Sequence, residues 1–240
     1  MPLRLPTPGP AVFAHRGAHG PERPENSLSA IERALELGVA GVEIDVCSLR
    51  DGTLVVAHDG WVACAGRRVP FSELLPEEVD RVSRFPILRA EPVLELFESR
   101  DTMLCLDWKG VGDIALVGKL ARRHGLTSQT IVSSERPAAV AALKVQHPRL
   151  GAGLSLDVLT RPPWETDGVA GAIAGAAEAC GADAVMLQHR LGDDAVLAAA
   201  RARGVAVFLW TAEDLETHAS LLERSPDGVM SDVVEACHPS

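Results

Sequence analysis

Apolar and polar positions along the 240-residue chain follow two periods. Short runs rich in β-branched and apolar residues are separated by longer stretches in which apolar residues return every three or four positions, the pattern of strands joined by crossover helices. The runs at residues 11–16, 41–46, 103–109, 130–133, 151–156, 184–187, 205–210 and 228–231 predict eight strands. Strands that alternate with helices in this way run parallel, and eight of them close into a (β/α)8 barrel of the TIM type, an α/β fold. The spacing predicts a helix over 27–37, capped by Asn26 or Ser27 and stopped at Gly38, and another over 193–203, stopped at Gly204. One region breaks the rhythm, between the second and third strands. There Asp51-Gly52 turns the chain into residues 53–58, and a polar, proline-containing segment runs to about Glu91. It predicts a hairpin and a small insertion, about 51–91, on a single domain spanning 1–240.

Composition narrows the class. With 47% hydrophobic and 23% charged residues and a mean hydropathy of +0.11, the chain has enough apolar material for a large core. Wholesale disorder and a disulfide-stapled mini-domain are excluded. The net charge of −10 opposes polyanionic partners, so no nucleic acid is expected to bind. Five scattered cysteines without a C-x-x-C pair predict reduced thiols and a cytoplasmic location. Prolines interrupt the first ten residues, which read as a flexible lead-in rather than a secretory signal. The alanine-rich run at 168–177 ends at Glu178 and is too short to insert stably in a membrane.

In such a barrel the C-terminal ends of the strands open onto the active-site mouth. Polar residues collect at those ends: His15-Arg16-Gly17 after the first strand, Glu43 and Asp45 on the second, His58-Asp59 after the irregular segment, and Asp107 with Lys109 on the third. Side chains alternate along a strand, so Glu43 and Asp45 share one face, as do Asp107 and Lys109, while Trp108 turns away to pack against the helices. Three converging carboxylates repel one another unless a divalent cation neutralises them, and all-oxygen donors favour Mg2+ or Ca2+ over zinc. Arg16 can grip a phosphate through two nitrogens and Lys109 adds a point charge. His15 and His58 can take and give a proton at neutral pH. Such a set points to phosphoryl chemistry. The bland alternative is an ion-pair network among Glu43, Arg16 and Lys109.

At these residues the chain resembles the glycerophosphodiester phosphodiesterases. The likeness rests on His15-Arg16-Gly17, Pro24-Glu25-Asn26-Ser27, the stretch from Gly41 to Val46, Asp51-Gly52, His58-Asp59, Asp107-Trp108-Lys109, Val132-Ser133-Ser134, the stretch from Val207 to Thr211, and that from Asp227 to Asp232. It implies a TIM barrel and the metal-dependent hydrolysis of glycerophosphodiesters, small-molecule substrates, to glycerol 3-phosphate and an alcohol. Carried over by position, it implies Glu43, Asp45 and Asp107 as metal ligands and His15 and His58 as the acid/base pair. Arg16 and Lys109 would be phosphate-binding cations, and Asn26 would orient the loop or the phosphate. Asp107 stands where the family commonly has Glu, which predicts that the shorter side chain reaches the ion through a backbone shift or a bridging water. Trp210 ends the seventh strand, where it can stack on the apolar side of glycerol or of the leaving alcohol. Trp61, Val62 and Phe71 would form an apolar lip if the substrate were a lysophospholipid, or else the insertion's own core. A catalytically weak barrel that senses a phosphorylated metabolite is the reading from another class. His124, His147 and His218 are expected on the surface.

Overall fold

The computed structural model describes residues 3, 5, 6, 9–83, 86–158 and 168–237. Parts of the predicted lead-in and of the predicted insertion lie outside these residues. Eleven strands are seen among them: β1 (Ala11–His15), β2 (Gly41–Ser48), β3 (Leu54–Val56), β4 (Trp61–Cys64), β5 (Arg67–Pro70), β6 (Met103–Trp108), β7 (Thr130–Ser134), β8 (Gly151–Leu156), β9 (Ala184–Gln188), β10 (Ala206–Ala212) and β11 (Gly228–Ser231). The helices are α1 (Leu28–Leu37), α2 (Pro76–Val82), α3 (Ala90–Glu95), α4 (Ala115–Arg123), α5 (Pro137–Gln146), α6 (Gly168–Cys180), α7 (Asp194–Arg201), α8 (Leu215–Glu223) and α9 (Val234–Cys237). Eight strands pair in parallel in the order β1-β11-β10-β9-β8-β7-β6-β2, and β2 returns to β1 to close the predicted barrel.

The two-residue period of the strands sorts side chains into two cores. Phe13, Cys105, Ile131, Met186, Phe208 and Met230 fill the barrel interior. The alternate residues, among them Val42, Ile44, Leu104, Leu106, Val185 and Val229, pack outward against helical residues such as Ile31, Val117 and Leu143. Trp108 takes this outward side as expected, and its indole N–H donates to the Val111 carbonyl at 3.1 Å. Inside the barrel, Phe13 and Phe208 meet edge to face at 5.4 Å. Each ring lies over a glycine: a Cβ on Gly41 would sit 2.2 Å from the Phe13 ring, and one on Gly228 would sit 2.4 Å from that of Phe208. Apolar rings thus plug the interior below the strand ends that carry the predicted polar residues.

The two helix starts predicted from the sequence follow their caps. The Ser27 hydroxyl accepts from the Ala30 N–H, and Gly38 ends α1 in the left-handed region. Asp193 caps α7 by accepting from Val196. That helix ends at Arg201, earlier than predicted, because Arg203 and Gly204 bond back only three residues and tighten the last turn before left-handed Gly204. The seventh barrel strand runs past the predicted Trp210 to Ala212, with a register irregularity against β11 that accommodates the polar end.

In the insertion, β3 pairs antiparallel with β2, and β4 and β5 form a separate hairpin. Phe71 is fully buried with Cys47, Leu49, Val55 and Val79, Val62 packs on that cluster, and the Arg68 guanidinium covers the Trp61 ring at 4.2 Å. Phe71 and Val62 therefore belong to the insertion's own core, the second of the two alternatives, and Trp61 packs within the hairpin. Surface placement of the three histidines also needs correction. His218 is buried with its Nδ1 on the Ser231 hydroxyl, His124 is covered between Glu98 and Glu91, and His147 is half-buried against the Ala115 carbonyl. Each has a polar partner on a distant element, which offsets the desolvation of an imidazole. No described helix is long and apolar enough to cross a membrane.

Candidate active site

β1 delivers His15 to the mouth and then turns sharply. Arg16 and Gly17 both adopt the left-handed conformation, at φ 54° and 83°. Only glycine fits at the second position, since a Cβ there would lie 2.7 Å from the Ala30 backbone in α1. The turn aims the Arg16 N–H at Glu43 Oε2, 3.0 Å away. Asn26, also left-handed, donates through its backbone to the Arg16 carbonyl, while its side chain donates to Asp45 Oδ2 at 2.7 Å and accepts from the Asp45 N–H at 3.1 Å. Asn26 thus fixes the turn and the carboxylate together.

Register does the rest. Asp45 of β2 lies directly beside Asp107 of β6, and Glu43 sits one inward step below Asp45. One oxygen from each carboxylate lies within 4.8 Å of the others, so Asp107 reaches the cluster despite its short side chain. Glu43 and Asp45 are buried. Lys109 Nζ bridges Asp107 Oδ2 at 2.8 Å and Asp45 Oδ1 at 3.1 Å, and Ser133 donates to Asp107 Oδ1 at 2.6 Å. Arg16 Nε lies 3.0 Å from Asp45 Oδ2 with its N–H directed off the oxygen, so the two form an ion pair without a hydrogen bond. Arg16 Nη1 donates to both oxygens of the Glu25 carboxylate, at 2.9 Å.

These neighbours divide the carboxylates electrostatically. Burial, reinforced by the Asp45 charge, pushes Glu43 up to about 8. Burial acts the same way on Asp45, but Lys109 and then Arg16 outweigh it and hold that group below its ordinary value. Lys109 resists its own burial because Asp107 and Asp45 hold it charged, and its pKa rises. Glu43 is the least compensated charge of the three. Two aspartates and a glutamate in one half-enclosed cluster match the oxygen donors that a hard divalent cation requires, and such an ion would relieve the repulsion around Glu43.

His15 lies beside this cluster, its Nε2 3.9 Å from Glu43 Oε2 and its Nδ1 2.7 Å from Asp232 Oδ1. Burial disfavours its charge, but the Asp232 hydrogen bond and then the Glu43 charge prevail and raise its pKa. His19 Nε2 contacts the same Asp232 oxygen at 3.1 Å. His58 stands between β3 and β4, 45% exposed, with Nδ1 3.2 Å from Asp59 Oδ1. A cavity of about 230 Å3 brings together the two histidines, three carboxylates and two cations singled out from the sequence, together with Trp210, and adds Ser133, Glu135, Ser155, Asp157, Met186 and Met230, while Asn26 stands behind Asp45. Two N–H groups on its lining residues, Arg16 Nε and Trp210 Nε1, are buried without an acceptor among the described residues. A larger groove of about 970 Å3 lies away from this chemistry, between α3 and α4, and shares none of these residues.

Asp232, Ser133 and His19 were given no role from the sequence. The usable signal for Asp232 was its position: it follows β11 two residues after inward-facing Met230.

A relative from Caldanaerobacter subterraneus named glycerophosphodiester phosphodiesterase is 26% identical over 240 residues, 92% of this chain and 93% of its own length. The solved structure of a glycerophosphodiester phosphodiesterase from Parabacteroides distasonis shares the fold with a TM-score of 0.77 at 18% identity, over 95% of this chain and 94% of that one. An Oleispira antarctica phosphodiesterase, solved with the product sn-glycerol-3-phosphate, superposes with a TM-score of 0.75 at 21% identity over 95% of both chains. The family model for the glycerophosphoryl diester phosphodiesterases matches residues 15–110 and 108–236, from the first histidine of the site to beyond Asp232. The chain belongs to the glycerophosphoryl diester phosphodiesterase family.

Proposed function

We propose that the protein hydrolyses glycerophosphodiesters to glycerol 3-phosphate and an alcohol, with Mg2+ or Ca2+ held by Glu43, Asp45 and Asp107. The observation that carries this reading is the coexistence in one small cavity of a three-carboxylate cluster, two cations and two histidines. The product complex of the Oleispira relative supports a glycerol phosphate as the bound species. A bound divalent cation would neutralise charge developing on the phosphoryl oxygens and the attacking hydroxyl.

The chain's own groups supply binding and proton transfer. Arg16 and Lys109 face the phosphodiester charge. The unfilled Arg16 and Trp210 N–H groups are donors suited to phosphate or hydroxyl oxygens, and the Trp210 ring offers an apolar face to the glycerol or alcohol. His15, the inner histidine beside Glu43, accepts the proton of the glycerol hydroxyl that attacks phosphorus. His58, at the open side, gives a proton to the alkoxide that leaves toward solvent. The resulting cyclic phosphate is opened by water in a second step, with the two proton transfers reversed. Asn26 acts from behind by holding Asp45. Occupation of Trp61, Val62 and Phe71 in the insertion's own packing favours small diesters over lysophospholipids. The five free cysteines are consistent with a cytoplasmic location.

The test is glycerol 3-phosphate release from glycerophosphocholine and glycerophosphoethanolamine, followed by a coupled assay in EDTA and after adding back Mg2+ or Ca2+. Release restored by either ion is expected. Folded protein that binds glycerol 3-phosphate but turns over neither diester with any ion would replace the enzyme by a sensor.

A further inference from the structure

The geometry points to Asp232 as the positioning residue of His15: its carboxylate fixes which imidazole nitrogen carries the proton and turns the other toward the reacting hydroxyl. The inference rests on the proposed hydrolysis for its kinetic part and on hydrogen-bond chemistry alone for its tautomer part. A carboxylate only accepts, so the 2.7 Å contact requires a hydrogen on His15 Nδ1. In the neutral ring the lone pair is then on Nε2, the nitrogen 3.9 Å from Glu43 and on the cavity side.

Asp232 is itself held firmly. Its N–H donates to the Ala212 carbonyl at the end of β10, and it follows β11 directly, so the carboxylate is anchored by two barrel strands. His19 donates to the same Oδ1, from a loop tied down by the Ala18 N–H to the Ala30 carbonyl at 2.8 Å and by Arg23 to the Ala18 carbonyl and to Glu235 of α9. The oxygen therefore has two imidazole donors, of which only His15 lines the cavity. A group that orients a proton acceptor contributes through the acceptor and not through substrate binding, so its loss falls on kcat.

Two measurements on the full chain decide the matter. In Asp232→Asn, where the amide can donate to Nδ1 as well as accept from it, kcat for glycerophosphocholine is expected to fall by about 100-fold or more while KM stays within about threefold. Nitrogen-15 NMR of the imidazoles, at a pH where the rings are neutral, is expected to show His15 as the Nδ1–H form in wild type and a mixture or the Nε2–H form in Asp232→Asn. A kcat within threefold of wild type, a loss confined to KM, or an Nε2–H ring in wild type would overturn the inference. If wild type hydrolyses no glycerophosphodiester, the proposed function fails and the tautomer alone decides the role of Asp232. The wild-type spectrum decides in the same way if Asp232→Asn does not fold.

Discussion

Glu43→Gln separates a metal ligand from a member of a structural ion network, because the two roles predict opposite changes in stability. The substitution keeps shape and keeps an acceptor for the Arg16 N–H, and it removes one ionisable carboxyl from a buried trio. Burial and the Asp45 charge raise the Glu43 carboxyl from 4.5 to about 8, so at pH 7 the folded chain holds a proton that the unfolded chain has released. At roughly 1.4 kcal/mol for each tenfold difference, this penalty on folding is about 3 kcal/mol, and glutamine does not carry it. In EDTA, Glu43→Gln should therefore melt at or above wild type. The sign follows the raised pKa: wild-type stability is intact below about pH 4.5 and is lost as pH rises toward 8, so the gap between the proteins opens over that interval. With Mg2+ or Ca2+ at about one hundred times its dissociation constant, wild type gains roughly 2.7 kcal/mol. For a chain of this size that is a rise in Tm of roughly 5–10 °C. Glu43→Gln, with two carboxylates left, should gain less than about 2 °C at the same concentration. Differential scanning fluorimetry across pH, in chelator and in metal, reads all of this. A variant that melts below wild type by the same amount in EDTA and in metal would refute the argument and make Glu43 a structural partner of Arg16 and His15.

Other expectations follow from the same geometry. His15→Ala and His58→Ala should each lower kcat by roughly 100- to 10,000-fold with folding intact, and a near-normal kcat would remove that histidine from the proton transfers. Asn26→Ala deletes both side-chain bonds to Asp45 and should weaken metal affinity about 10- to 100-fold in a calorimetric titration, an unchanged affinity being the contrary result. Gly17→Ala places a methyl group 2.7 Å from the Ala30 backbone at a left-handed φ. It should destabilise by roughly 2–4 kcal/mol, read as a lower urea midpoint, whereas a loss below about 0.5 kcal/mol would mean that α1 can retreat.

How far the chain could be read depended on the range over which each feature is determined. The stretch from Gly41 to Val46 announces both its strand and the shared face of Glu43 and Asp45, because alternation is local and needs no partner. The α1 and α7 starts were legible for the same reason, since a cap acts on residues three positions away. Asp232 was not, because its meaning lies in a hydrogen bond to a residue 217 positions earlier, made only when the last barrel strand closes on the first. Ser133 likewise matters through register with Asp107, and His218 of α8 is buried where its Nδ1 meets the Ser231 hydroxyl of β11. Arg16 shows the limit most clearly. Sequence chemistry marks it as a phosphate ligand, yet the folded chain already sets its guanidinium against Glu25 and Asp45, because anionic side chains converge on the same turn. A phosphodiester reaching the Arg16 Nη1 group must therefore compete with the exposed Glu25 carboxylate rather than with water, whereas the Nε N–H has no acceptor to displace, and phosphate affinity depends on that exchange as much as on the arginine itself.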